Sequence, residues 1–201
     1  MNILQILSHP DYDNSARTAN YLAVSASSAL TKKFPAARIE TLNLYAPETV
    51  IPQVDKDFVN GTWTDEKLSI QRRFLDQFKA ADMIFFFTPL HNFNVTAKMK
   101  DYLDNILIAG ETFKYTAEGS VGLLSDAKKV TLVLTSGSDY STNYRYINMD
   151  IAPQYMRVIL SVMGINEMKL IRAQGLDIQG NDKPAIVEKA RQELINHIGK
   201  L

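Results

Sequence analysis

Apolar stretches of two kinds alternate along the whole chain, and this alternation is the feature that most limits its fold. Five runs have the continuous apolar or β-branched character of buried strands, and they cover residues 2–7, 38–44, 82–88, 129–135 and 168–173. Five further segments carry apolar residues at helical spacing, and they cover residues 15–33, 68–78, 99–107, 154–164 and 183–198. Such alternation predicts an α/β fold, a parallel sheet of these five strands with helices on both faces.

The ends of four predicted helices are marked in the sequence. Phe34-Pro35 ends the first helix, Gly110 closes the third, and Gly164 stops the fourth. Pro184 falls in the first turn of the last helix, where its missing N–H costs nothing.

Length and composition exclude several classes of protein. A chain of 201 residues fits one domain, 1–201. Its net charge of zero gives no global attraction to nucleic acid or to an anionic membrane. No apolar run approaches the roughly 20 residues of a membrane span, and we expect the apolar start of the chain to be a strand and not a signal peptide. We therefore expect a cytoplasmic protein.

Cysteine and histidine usage narrows the chemistry. The chain has no cysteine and only three histidines, so thiol catalysis is excluded and a histidine-rich metal site is not expected. No serine has a convincing histidine partner in the sequence. We predict no catalytic side chain and no metal, which fits an enzyme whose cofactor performs the chemistry.

In open parallel sheets, ligands bind beyond the carboxyl ends of the strands, at the switch point of the strand order. The first such segment, "SHPDYDNSART", has no glycine, which excludes the usual glycine-rich phosphate loops. Its short donors are Ser8, Asn14, Ser15 and Thr18, with His9 and Arg17 as sources of positive charge. Beside a helix start these groups favour an anion. The alternative is that Asn14 or Ser15 only caps the helix.

The segment after the third strand, "TPLHNFN", carries a dense group of amide side chains. Asn92 and Asn94 offer donors and acceptors together, which suits a planar heterocycle, and Leu90 and Phe93 could pack on its flat face. The alternative is that Asn94 or Thr96 caps the next helix while the neighbouring His91 is a surface residue.

A tight polar turn follows the fourth strand and contains Ser136, Gly137, Ser138 and Asp139. Gly137 would let the backbone approach a ligand closely, although an ordinary loop is the alternative. Together the three loops predict a mononucleotide site, with phosphate at the first and a flat ring at the other two.

The segment "TPLHNFNVTAKMKDYLDNILIAGETFKYTAEGSVGLL" (88–124) resembles the signature of the FMN-dependent NADH:azoreductase family, within the flavodoxin-like NAD(P)H:quinone reductases. "LNLYAPETVIPQVD" (42–55) is similar to the exit of that family's second strand. The chain departs from the family pattern in having Ser-Gly-Ser-Asp at 136–139 instead of Ser-x-Gly-Gly. His91 also stands in place of a common tyrosine.

The resemblance implies a flavodoxin-like fold and bound FMN, with NADH or NADPH as electron donor and a quinone or azo compound as acceptor in a ping-pong reaction. It implies that Ser8 or His9, with Asn14, Ser15 and more weakly Arg17, holds the FMN phosphate. The ring would contact two groups of residues: Leu90, His91, Asn92 and Phe93 on one side, and Ser136, Gly137, Ser138 and Asp139 at the other edge.

The resemblance further implies a homodimer with the site at the interface. Candidate aromatic residues for a roof supplied by the neighbouring subunit are Phe58, Trp63, Phe113 and Tyr115, and Trp63 has local packing as its alternative. Two other functions stay open at this point. One is a flavin-bearing regulatory or electron-transfer subunit, and the other is a flavin-free α/β protein whose loops merely cap helices.

Overall fold

The computed structural model describes residues 1–201. Its strands are β1 (Asn2–Leu7), β2 (Arg38–Asn43), β3 (Met83–Pro89), β4 (Phe113–Thr116), β5 (Gly119–Gly122), β6 (Lys129–Ser136) and β7 (Met168–Gln174). Its α-helices are α1 (Thr18–Lys33), α2 (Lys56–Val59), α3 (Asp65–Ala80), α4 (Ala97–Ile106), α5 (Ile151–Val162) and α6 (Lys183–Lys200). No helix combines the length and the apolar character that a membrane-spanning segment needs.

The five predicted strands pair as one parallel sheet in the order β2-β1-β3-β6-β7. Counted among themselves, they follow the flavodoxin-like order 2-1-3-4-5. The predicted fold class is therefore confirmed, and the order reverses between β1 and β3, which puts the switch point there.

Each face of the sheet has its own hydrophobic core, because successive side chains of a strand point to opposite faces. Ile84 and Phe86 of β3 pack under α3, α4 and α5. Phe85 and Phe87 pack on the other face, under α1 and α6. All four side chains are fully buried, and burying each contributes roughly 1.5–3 kcal/mol relative to exposure. These two cores fix the strand ends and hence the loops that follow them.

Two predicted helix ends were wrong. The first helix begins at Thr18 and not at residue 15, with Arg17 at the N-cap position and no side chain capping it. The third helix ends at Ile106 and not at Gly110. There the Thr112 hydroxyl donates to the Ile106 carbonyl at 2.7 Å, so the end of the helix is satisfied by a side chain. Gly164, with φ 98°, does follow the end of α5, as predicted.

A β-hairpin that the sequence analysis did not predict projects from the sheet. Strands β4 and β5 pair antiparallel, outside the main sheet. Gly122 lies so close to Gly164, just beyond α5, that a Cβ at Gly122 would be 2.1 Å from the Gly164 nitrogen. Only glycine fits this contact, which holds the hairpin against the end of α5.

Candidate cofactor-binding site

A cleft of about 220 Å³ lies at the carboxyl edge of the sheet, beside the ends of β1, β3, β6 and β7. Predicted site residues from all three loops line it, namely His9, Arg17, Leu90, Ser136 and Gly137. The sequence analysis missed Leu176, Asp177 and Lys183, which line the cleft from the segment after β7. That segment also follows the carboxyl end of a strand, so the rule that selected the other loops would have selected it too.

Gly137 lies where the loops after β6 and β7 join. The Asp177 N–H donates to the Gly137 carbonyl at 3.1 Å, and the Leu176 N–H donates to the Ser136 carbonyl at 3.1 Å. A Cβ at Gly137 would lie 2.4 Å from the Asp177 carboxylate. The glycine therefore leaves room for the Asp177 carboxylate at one wall of the cleft.

The first loop is held by its own side chains. The Asp11 carboxylate accepts from the Arg17 Nε at 2.6 Å and from the Asn14 amide at 2.9 Å. Behind the loop, the buried Asn20 amide donates to the carbonyls of Asp11 at 2.9 Å and of Asn14 at 3.0 Å. The polar groups of Asn14 and Arg17 thus stabilise the loop conformation, and the Arg17 charge is already balanced by Asp11.

His9 is a neutral donor at the cleft. Burial and the Arg17 guanidinium hold the pKa of His9 below its usual value, against the opposing effect of Asp11. The Nδ1 atom of His9 accepts from the Asp11 N–H at 3.0 Å. The ring proton of neutral His9 therefore sits on Nε2, which can donate to a ligand.

The first turn of α1 offers backbone donors to the same region. No protein group accepts a hydrogen bond from the N–H of Thr18, Ala19 or Asn20. Thr18 itself lines the cleft. Free N–H groups at the positive end of a helix dipole favour an anion such as phosphate.

A strained turn follows Leu90. His91 and Asn94 exchange backbone hydrogen bonds of 2.8 and 3.0 Å. The two central residues are left-handed, with φ 46° at Asn92 and 68° at Phe93. Positive φ at both positions defines a type I′ turn, which strongly prefers glycine or asparagine. Phe93 in this conformation is strained, and strain of this kind concentrates at ligand sites.

The turn presents its side chains to solvent beside an aromatic group. His91, Asn92 and Phe93 are all exposed. The Phe93 ring meets Tyr140 edge-on with centroids 6.3 Å apart, and Tyr140 packs on Tyr146 at 5.6 Å. An exposed ring and an exposed amide on one rigid turn can pack against and hydrogen-bond a planar heterocycle.

Asp139 has a structural task in its own loop. Its carboxylate accepts from the N–H groups of Ser141 at 2.8 Å and Thr142 at 3.0 Å, and from the Gln174 amide at 2.8 Å. Burial opposes ionisation of Asp139, but the Thr142 and Ser141 donors outweigh it and lower its pKa. The carbonyl of the adjacent Ser138 accepts from the Gly175 N–H at 3.1 Å.

Besides Asn14, the turn from His91 to Phe93, Ser138 and Asp139, three further candidates do not line the cleft. Ser8 is fully buried, and its hydroxyl donates to the Thr88 hydroxyl at 2.7 Å. Ser15 lines a neighbouring groove of about 430 Å³ between α1 and α6. Trp63 is buried against Phe58, and its Nε1 donates to Asp55 at 2.7 Å. The structure therefore supports local packing of Trp63, the alternative to a role in the roof of the site.

The remaining roof candidates differ in exposure. Phe113 is buried, whereas Tyr115 on the hairpin is 75% exposed. Of the four aromatic residues, Tyr115 is thus the most available to a neighbouring subunit.

A larger cavity, of about 610 Å³, lies at the opposite edge of the sheet, beside the amino ends of β6 and β7. Lysines 128, 129, 169 and 200 line it. Helices α5 and α6 end at this edge, and cations near helix C-termini offset the negative end of the helix dipole. This cavity is therefore a less suitable anion site than the smaller cleft.

The fold and the cleft together define a class of protein, a flavodoxin-like α/β protein with a cleft beside the switch point of its sheet. Comparison with known proteins agrees. The sequence profile of a family described as having a flavodoxin-like fold matches residues 1–198.

Relatives with assigned activities are similar over nearly the whole chain. The chain is 37% identical to FMN-dependent NADH:quinone oxidoreductase 1 of Lactiplantibacillus plantarum, over 95% of this chain and 94% of that protein. It is 34% identical to an FMN-dependent NADH:quinone oxidoreductase of Streptococcus agalactiae, over 96% and 95%. The solved structure of an FMN-dependent NADH-azoreductase from Bacillus anthracis, in complex with FMN, superposes with a TM-score of 0.89 at 31% identity, covering 99% and 98% of the two chains. The protein belongs to the family of FMN-dependent NADH:quinone oxidoreductases.

Proposed function

We propose that the protein is an FMN-dependent oxidoreductase that uses NADH to reduce quinones or azo compounds. The observation that carries this function is the convergence of the β1, β3 and β6 loops on one cleft, in a family of FMN-dependent relatives. Free N–H groups for a phosphate and a rigid Asn92–Phe93 turn for a ring make the residues present suited to FMN.

Each part of the site has an assigned task. The N–H groups of Thr18, Ala19 and Asn20, with the His9 donor, bind the phosphate. Leu90, Asn92 and Phe93 contact the ring on one side, and Ser136 and Gly137 on the other.

The other candidates support these contacts. Asn14 and Arg17 hold the first loop through Asp11, and Asp139 and Ser138 hold the fourth. Ser8 anchors the end of β1 to β3. Ser15 and His91 are exposed residues next to the site.

FMN, when bound, supplies two-electron chemistry by accepting hydride from the nicotinamide and passing electrons to the acceptor. The protein positions the ring and sets its surroundings. The amide of Asn92 is a donor that favours the greater negative charge of the reduced ring. Tyr140 packs edge-on against the Phe93 ring and supports it from one side. Use of NADPH in place of NADH stays a prediction.

We also propose a homodimer. Apolar side chains are exposed on the hairpin and around α5, including Tyr115, Val121, Ile151 and Val158. Such residues in one region favour an interface between subunits.

The cytoplasmic location stays a prediction. That residues 1–201 form one domain is supported by Ile3 and Ile198, from the two ends of the chain, sharing one core.

The first experiment is a visible spectrum of the purified protein, followed by anaerobic addition of NADH and then a quinone. We expect a flavin absorption spectrum that bleaches when NADH is added and returns when the quinone is added. We also expect steady-state turnover when NADH and the quinone are both present. Bleaching without turnover would favour the electron-transfer alternative. A protein that stays colourless after incubation with excess FMN would contradict the proposal.

A further inference from the structure

Lys183 is the first residue of α6, and it lines both the cleft and the adjoining groove along α1. It is exposed, and its ammonium group makes no ion pair or hydrogen bond within the protein. Asp182, one residue earlier, caps α6 by accepting from the Ala185 N–H at 3.0 Å. The cap fixes the start of the helix, so the base of the Lys183 side chain has a defined position beside the first turn of α1.

The other basic side chains of the cleft, Arg17 and His9, already have partners within the protein. Arg17 is paired with Asp11 at 2.6 Å. His9 accepts from the Asp11 N–H through Nδ1 and is neutral. Lys183 is therefore the one cation lining the cleft that has no partner.

The same cleft needs a positive charge if it is to hold phosphate. The Asp177 carboxylate lines it, next to Gly137. A phosphate monoester carries close to two negative charges at neutral pH, and the N–H groups of α1 offer only about half a unit of positive charge. An additional cation beside these donors would offset both the phosphate and Asp177.

We infer that Lys183 neutralises the phosphate of FMN, reaching across from α6 to the anion held at the start of α1. This inference rests on the proposed FMN site and adds a residue from the β7–α6 segment to it. Arg17 then acts as a positioning residue for the first loop.

The test is Lys183→Gln, with flavin binding measured by quenching of flavin fluorescence. FMN and riboflavin are titrated separately into the flavin-free protein at low and moderate salt. A charge contact to phosphate predicts about tenfold weaker FMN binding in the variant and unchanged riboflavin binding. The loss should shrink at higher salt, since screening weakens the contact in the wild type. Lys183→Arg should retain most of the FMN affinity.

Lys189→Gln is the matched control, because Lys189 lies on the same helix, is also exposed, and lines a different cavity near the C-terminus of α6. We expect it to bind both flavins as the wild type does. Unchanged FMN binding in Lys183→Gln, or equal losses for FMN and riboflavin, would overturn the assignment of Lys183 and leave the proposed function standing. A wild-type protein that binds neither flavin would overturn both.

Discussion

Substitutions of Asn92 can distinguish two roles of this residue. One is to stabilise the strained turn through its backbone conformation, and the other is to bind FMN through its amide. The φ of 46° at Asn92 suits asparagine or glycine and disfavours alanine. We expect Asn92→Gly to keep the free energy of unfolding near that of the wild type, and Asn92→Ala to lower it by about 1 kcal/mol. Both variants lose the amide, so both should bind FMN about tenfold more weakly. Chemical denaturation and FMN titration measure the two quantities.

The FMN affinity of Asn92→Gly shows whether the amide is a ligand. If Asn92→Gly binds FMN as tightly as the wild type, the amide is not a ligand and the residue serves only the backbone of the turn. If both variants bind weakly in proportion to their stability, the turn itself is disturbed.

The roles of individual site residues were the hardest feature to predict from the sequence. The sequence places Ser8, Arg17 and Asp139 beside strand ends, where polar side chains are expected to meet a ligand. Each is instead used within the protein, by Thr88, Asp11 and the 141–142 backbone. Such pairings depend on three-dimensional neighbours that no local pattern contains.

At the scale of elements, the strands of the sheet were predictable because apolar runs and helical spacing are local signals. The β4–β5 hairpin was not predicted. Its strands have four residues each, and its connecting residues, Ala117 and Glu118, are not the Asn-Gly or Asp-Gly pairs that mark tight hairpins. Packing of Gly122 against Gly164 holds the hairpin in place, and that contact joins segments far apart in the chain.

The segment around α2 is held by one carboxylate. Asp55 accepts from the Lys67 ammonium at 2.5 Å, the Phe58 N–H at 2.9 Å and the Trp63 indole at 2.7 Å. The Lys67 contact, followed by those of Phe58 and Trp63, holds the pKa of Asp55 well below its usual value. A lowered carboxyl pKa stabilises the fold above the unfolded pKa of about 3.9 and loses that contribution as the pH falls below it.

Trp63 is the only tryptophan and reports on this segment directly. We expect its emission in the wild type to stay constant from neutral pH to well below pH 4, and to shift to the red only where Asp55 itself becomes protonated in the folded protein. Asp55→Asn should already be red-shifted at neutral pH. Asp57→Asn, whose carboxylate makes no hydrogen bond in the structure, is the control and should behave like the wild type. Identical spectra for Asp55→Asn and the wild type across the range would refute this role for Asp55.

Exposed apolar residues are unevenly distributed over the molecule. The proposed dimer can therefore be tested with matched substitutions on the two faces of the sheet. Val158 on α5 and Val24 on α1 are each 59% exposed, but their helices cover opposite faces of the sheet. Only Val158 lies in the region of exposed side chains that includes Ile151 and the hairpin. Placing a carboxylate in an apolar interface without a partner costs a few kcal/mol. Val158→Asp should therefore raise the dimer dissociation constant roughly a hundredfold.

Sedimentation equilibrium at several protein concentrations measures the dissociation constant, and FMN titration under the same conditions shows whether the site depends on assembly. If the site lies at the interface, Val158→Asp weakens FMN binding at concentrations where the wild type is a dimer. Val24→Asp carries the same change at equal exposure and should keep both properties. A wild type that is monomeric and binds FMN tightly would contradict the dimer. Unchanged FMN affinity in a monomeric Val158→Asp would instead show that each chain builds its site alone, from the loops after β1, β3 and β6 and the segment before α6.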